Sequence, residues 1–335
     1  MARNLKIAAV AAGTMAAASL LSAAAVGVRR KYCLQVLRTR GGMARVHAVE
    51  AADGEQIRVL SAGGVYQSAT YLGERRMEPV FTYYRAFDAA FAAEKSLGHP
   101  VKNMLMIGGG GFAYPKHVLT AHEGVHMDVA EVDLSVVRAA RRWFFLDELE
   151  AHLANPQTAQ GNSMRIIEAD GRELLETGAG VQSRAKGSTA PAEEPARRFV
   201  VDGPCGTLRV LRDGELSLPV YDAIVNDAFL GREPAACLAT VEAARAVRAR
   251  LAAGGVYLAN VVSGDHGRDL GFLRDEVATL RQVFTHVHVL QTSDAEFGGE
   301  DNYLLIATDG ELEFEKSIAY DDEFLGVPLR DRLTV

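Results

Sequence analysis

At 335 residues, 48% of them hydrophobic and 24% charged, the chain is long enough for one large domain and a smaller one around a sizeable core. A net charge of −7, with only short basic runs and no aromatic platform between them, excludes a protein that tracks nucleic-acid phosphates. Cys33, Cys205 and Cys237 lie far apart with no CxxC spacing, which excludes a disulfide framework and a cysteine zinc site.

The first 31 residues stand apart. Ile7 to Val28 carries no charged residue, and a helix of that length rises about 33 Å, enough to cross a bilayer core. Its alanine richness and the small residues Ser22-Ala23-Ala24 leave three readings: a membrane anchor, a cleaved signal peptide, or a soluble helix. The positive flank behind it (Arg29, Arg30, Lys31) outweighs the one before it (Arg3, Lys6). That favours a tether in the inner membrane with the body facing the cytoplasm.

Residues 44–75 read as a small antiparallel β unit. Val46, Ala48 and Glu50 precede a hairpin signal at Asp53-Gly54; Ile57, Val59 and Leu60 lead to Gly63-Gly64, and Val65 to Tyr71 follows. Val80 to Lys95 carries Phe81, Tyr84, Phe87, Asp88 and Phe91 at helical spacing and predicts one amphipathic helix.

Residues 80–310 then alternate strands with helices. Strands are expected at Val101–Ile107, Met127–Val132, Met164–Glu168, Tyr221–Asn226, Val256–Val262, His286–Gln291 and Tyr303–Thr308. Helices are expected from near Pro115, and over Ser135–Phe145, Ala235–Ala253 (ended by Gly254-Gly255) and Phe272–Phe284. Such alternation predicts an α/β fold: a Rossmann-like, doubly wound, mostly parallel sheet covered on both faces. Residues 177–220 interrupt it, first with a Gly-, Ser-, Ala- and Pro-rich stretch to Pro195. A surface hairpin then carries Leu208-Arg-Val-Leu before Asp213-Gly214.

The chemistry concentrates at strand ends. Met104-Leu-Met-Ile-Gly-Gly-Gly-Gly-Phe-Ala113 delivers a buried strand into a loop without side chains. Gly108, Gly109, Gly110 and Gly111 let a ligand approach the peptide groups and the next helix N-terminus. Glu131 closes the second strand about 20 residues later, where a carboxylate accepts ribose hydroxyls. Asp170 and Asp227 follow two further strands; Asp170 is placed to accept from an adenine amino group, and Asp227 to face the reacting end. His122-Glu-Gly-Val-His126 matches HExxH, but Gly124 inside it and a strand beginning at Met127 make it a helix-to-strand turn rather than a metal site. No metal is expected. His286 and His288 read as a surface pair on one side of a late strand.

These residues resemble the spermidine synthases, within the Rossmann-like methyltransferases. The resemblance runs from about Val46 to Asp309. It includes Gly63-Gly-Val-Tyr-Gln67-Ser, Leu105-Met-Ile-Gly-Gly-Gly, Val129-Ala-Glu131-Val-Asp133, Glu168-Ala-Asp170-Gly, Tyr221-Asp-Ala-Ile-Val-Asn-Asp227 and Gly299-Glu-Asp-Asn-Tyr-Leu-Leu. It implies decarboxylated S-adenosylmethionine or S-adenosylmethionine as co-substrate, with Glu131 at the ribose, Asp170 at the adenine and Gln67 near the sulfur. It also implies aminopropyl transfer to a small-molecule amine acceptor of polyamine type, Asp227 as base, and a homodimer. Three positions depart from the pattern. Gly111 stands where the family has an aspartate, Leu230 where it has a second acid, and Tyr83-Tyr84-Arg85 where it has Tyr-His-Glu. Methyl transfer to a small acceptor, a silent nucleoside-binding domain and an NAD-dependent oxidoreductase are the alternatives. The last is disfavoured by the roughly 100 residues before the glycine loop and by the lack of a hydride-transfer set.

Overall fold

The computed structural model describes residues 35–51, 54–177, 199–202, 208–211, 218–230, 233–263, 269–292 and 302–331. The hydrophobic stretch Ile7 to Val28 and most of the 177–195 segment lie outside the described residues. Among those described, no helix is long and apolar enough to cross a membrane.

The small β unit has four strands rather than three. β1 (Gln35–Thr39), β2 (Gly42–Glu50), β3 (Gln56–Ala62) and β4 (Val65–Tyr71) form an antiparallel meander. Alternation sets its inner face, with Ala44, Val46, Ile57 and Val59 almost fully buried. Gly63 and Gly64 both take positive φ, as a tight hairpin turn between β3 and β4 requires.

The expected helix over Val80–Lys95 is instead three pieces: α1 (Thr82–Ala86), a 3-10 segment (Phe87–Ala93) and α2 (Glu94–Leu97). Phe87, Ala90 and Ala93 explain the change. Spaced by three, they fall on a single line where the helix has three residues per turn, and all three are buried. Gly98, in the left-handed region at φ 74°, ends the run.

The large sheet begins with β5 (Asn103–Ile107), α3 (Ala113–Ala121), β6 (His126–Glu131) and α4 (Leu134–Trp143). It continues through α5 (Leu146–Ala154), α6 (Pro156–Ala159), β7 (Ser163–Glu168), α7 (Gly171–Thr177), β8 (Phe199–Asp202), β9 (Leu208–Leu211) and β10 (Tyr221–Asn226). β11 (Phe229–Leu230) and β12 (Glu233–Pro234) form a short ribbon. α8 (Val241–Arg248), β13 (Leu251–Val262), α9 (Gly271–Leu280), β14 (His286–Gln291) and β15 (Asn302–Thr308) complete the order. The nine strands lie in the order β14-β15-β13-β10-β5-β6-β7-β8-β9. From β13 to β7 every pairing is parallel, while β15 and the β8–β9 hairpin run antiparallel to their neighbours. The expected doubly wound, mostly parallel sheet is present.

β5 shows why such strands read as unbroken apolar runs. Met104 and Met106 enter one core with Tyr114, Phe87 and Phe144; Leu105 and Ile107 enter the other with Leu174 and Val277. Two boundaries differ from expectation. Thr240 caps α8 by accepting from Ala243 N at 3.2 Å, so Ala235–Ala239 lies outside that helix. Leu251–Gly255 belongs to β13, with Leu251 paired to Tyr221, and Gly254 passes too close to the Ser96 backbone for any side chain. The inserted hairpin pairs β8 with β9, and Asp213-Gly214 lies outside the described residues.

After β15 the chain runs back over the helices. Gly326 N donates to Arg274 O, Leu329 N to Thr279 Oγ1, and Val241 N to Leu329 O, stitching this C-terminal segment to α9 and α8.

Candidate active site

In the parallel sheet, β5 has β6 on one side and β10 on the other, so the loops after β5 and β10 part at a switch point. A cavity of about 730 Å³ opens there, bounded by strand ends of the large sheet and by the small sheet. Gln67, Gly108, Gly110, Glu131, Asp170 and Asp227 all line it. The volume falls in the range of small-molecule sites.

The four glycines divide by role. Gly108 has φ +95°, and a Cβ there would lie 2.5 Å from the Asp227 carbonyl oxygen, so no other residue fits. Gly110, at φ +50°, faces the cavity beside Gln67 and Ser68. Gly109 and Gly111 do not line the cavity. A Cβ on Gly109 would meet the Phe112 ring at 2.9 Å, and one on Gly111 would meet Ser68 Oγ at 2.6 Å and Phe144 at 2.9 Å. Gly109 and Gly111 are thus held to glycine by packing, and the space at Gly111 admits no aspartate.

Glu131 ends β6 buried, and it holds the loop. Its Oε2 accepts from Gly109 N at 2.9 Å and Gly110 N at 3.2 Å, and its Oε1 from Asp133 N at 2.9 Å. Burial raises its pKa above the ordinary carboxylate value, and these three amides pull back in the other direction. Glu131 thus shapes the glycine bend as well as facing the cavity; two amides fill the lone pairs of Oε2, and one lone pair remains on Oε1. Asp133 caps α4 through Ser135 N at 2.8 Å, and its other oxygen accepts from Arg40 N at 2.7 Å. That bond ties the β1–β2 turn over the Glu131 side of the cavity.

Asp170 sits exposed at the rim, where its Oδ1 caps α7 by accepting from Arg172 N at 2.9 Å and Glu173 N at 3.2 Å. Asp227 lies at the other end. Its Oδ1 accepts from Asn260 Nδ2 at 2.8 Å, its Oδ2 takes a long contact from the Tyr83 hydroxyl at 3.5 Å, and Tyr84 also donates to it. Burial raises Asp227 to about pKa 7, against the downward pull of those donors. Asn260 keeps a buried Oδ1 with no partner among the described residues.

Sequence reading missed Asn260 as a site residue, and gave Tyr83 and Tyr84 only as part of a helix and a faint motif. A signal for Asn260 exists: one amide inside the apolar run Val256–Val262 needs a polar reason to be there. The two histidines of HExxH have separate partners. His122 caps α3 and stacks on Phe91 at 3.8 Å, while His126 in β6 bonds Ser163 Oγ at 2.8 Å. His286 and His288 lie 6.5 Å apart, and His288 turns its edge to Phe314 rather than standing free on the surface.

The fold is shared with solved structures. A probable spermidine synthase from Corynebacterium glutamicum ATCC 13032 matches over 83% of this chain and 81% of its own, with a TM-score of 0.54 at 20% identity. The fold is spermidine synthase-like. A spermidine synthase in complex with the transition-state analogue AdoDATO matches with a TM-score of 0.52 at 17% identity, over 83% and 74% of the two chains. The spermidine synthase of Thermotoga maritima gives 0.52 at 18%, over 83% and 73%. No family model matches the chain, and no curated protein matches its sequence. The spermidine synthase-like fold thus stands on backbone geometry at low identity.

Proposed function

We propose that this chain is a transferase that binds an S-adenosyl sulfonium nucleoside and passes its alkyl group to an amine acceptor. Decarboxylated S-adenosylmethionine, with transfer of an aminopropyl group, is the first choice. One observation carries the reading. Asp227, raised to about pKa 7, faces the same cavity as the glycine bend and the ribose-side carboxylate Glu131. The AdoDATO complex of a similarly folded spermidine synthase supports this choice of nucleoside.

The cavity fits the nucleoside by shape and donor set. Gly108 and Gly110 leave the peptide backbone bare where it meets the cavity, Glu131 Oε1 offers an acceptor for one ribose hydroxyl, and the Asp170 rim takes the base. At the Asp227 end, a neutral amine attacks the carbon bonded to the sulfonium. A C–N bond forms, the C–S bond breaks with its electron pair going to sulfur, and the amine's proton goes to Asp227. A pKa near 7 suits a base that must be free at neutral pH and still hold the proton. Asn260 Oδ1 provides an acceptor for the amine's second N–H, which a hydroxyl nucleophile lacks.

Full-length protein with putrescine and each nucleoside in turn tests the proposal. Aminopropyl transfer yields 5′-methylthioadenosine, whereas methyl transfer from S-adenosylmethionine yields S-adenosylhomocysteine. The expected result is the first product, with turnover in Asp227→Asn reduced at least about a hundredfold. The second product would establish the methyltransferase alternative, which the Leu230 position favours. Tight binding without either product leaves a silent nucleoside-binding protein.

A further inference from the structure

The nucleoside end of the cavity has two walls from different parts of the sheet. Ala169, Asp170 and Gly171 follow β7, while Ala235, Cys237 and Leu238 follow the β11–β12 ribbon. Gly171 lies against Ile107, which leaves no space for a Cβ and presses the start of α7 onto β5. The opposite wall, Ala236–Leu238, is a single 3-10 turn whose Leu238 is buried in the same core as Leu174 and Val247.

One guanidinium joins the two. Arg172, the first residue past the Asp170-Gly171 rim, donates through Nη1 to Cys237 O at 2.9 Å and Thr240 Oγ1 at 3.0 Å. Its Nη1 and Nη2 form a fork on Asp331 at 3.1 and 2.7 Å, and Nε reaches Glu176 at 2.6 Å. Asp331 also accepts from Thr240 Oγ1 at 2.8 Å, and its own amide is held by Glu242 at 3.0 Å. The Arg172 side chain is only 13% exposed. A planar fork that binds a carboxylate in two places has little freedom left, so its bond to a main-chain carbonyl fixes a backbone position.

We propose that Arg172, locked by Asp331 of the C-terminal segment, is the positioning residue that sets the width of the nucleoside end of the cavity. It touches no reacting atom; it acts through the Cys237 carbonyl and the Asp170-Gly171 turn. The C-terminal segment thereby belongs to ligand recognition, although it lies outside the cavity. The inference rests on the reading that this end receives the nucleoside base.

Isothermal titration of the full-length protein with decarboxylated S-adenosylmethionine and with S-adenosylmethionine tests it. In Asp331→Asn and Arg172→Lys the nucleoside Kd should rise about tenfold. The amine KM, and kcat at saturating nucleoside, should stay at wild-type values. Asp309→Asn removes the Arg248–Asp309 pair, which lines no part of the cavity, and should leave the nucleoside Kd unchanged. Wild-type nucleoside affinity in both clamp variants overturns the proposal. So does a parallel loss of nucleoside affinity, amine KM and unliganded melting temperature, which marks a merely structural pair. If wild type binds neither nucleoside, the reading of the cavity fails and takes the clamp with it; wild-type binding with unaltered variants removes the clamp alone.

Discussion

Asp227 shows how one residue couples chemistry to stability. Its folded pKa, about 7, lies above the ordinary aspartate value of 3.8, so the folded state holds the proton more tightly than the unfolded chain. The protonated form therefore stabilises the fold below pH 3.8, and that contribution is lost as pH rises through about 7. Asp227→Asn keeps a neutral group of the same shape. It should melt higher than wild type at pH 8 and show no advantage at pH 4, as thermal unfolding at the two values would record. A variant less stable than wild type at pH 8 would mean that the carboxylate is not disfavoured in its pocket. The same substitution should erase the rise of turnover through neutral pH that the wild type is expected to show.

Among the connecting elements, α3 depends on a lysine with no exposure to water. Lys116 Nζ donates to Thr70 Oγ1 at 2.8 Å, Arg76 O at 2.9 Å and Phe144 O at 2.9 Å. Three donors meet three acceptors, one from β4, one from the turn after it and one from the end of α4. Burial draws the Lys116 pKa down to about 7, and the satisfied acceptors are what make a buried ammonium tolerable. Lys116→Met fills similar volume, leaves Arg76 O only its 3.1 Å bond from Thr70 Oγ1, and strands Phe144 O. The variant should lose about 3 kcal/mol of stability, read from urea unfolding, because each orphaned buried acceptor costs about 1–3 kcal/mol. A loss within about 0.5 kcal/mol would show that water reaches the site and replaces the amine.

Taken whole, the molecule sets its cavity between two sheets, so a ligand bound there should be felt in both. Nucleoside at 100 times its Kd adds about 2.7 kcal/mol to the folded state. Hydrogen exchange should slow in peptides covering 56–71 as well as 104–113; slowing in the second alone would mean that the small sheet does not close on the ligand. The large sheet was legible because its strands are apolar on both faces and its turns carry glycine and aspartate. Glu131 and Asp227 were legible because each ends such a strand. The 3-10 course of Phe87–Ala93 was not, since spacing by three also fits an α-helix until the packing on β13 selects the tighter form. Gly111 looked like its neighbours because a ligand and a phenylalanine ring exclude a side chain equally well. Arg172 was hidden for a different reason: its partner lies 159 residues away, at a distance no local pattern reports.

β1 gives the first part of the chain a fixed point of departure. Thr39 borders the cavity, and Gln35 lies four residues upstream on the same strand, about 13 Å away at the rise of an extended chain. Whatever precedes Gln35 is thus leashed to the rim of the pocket.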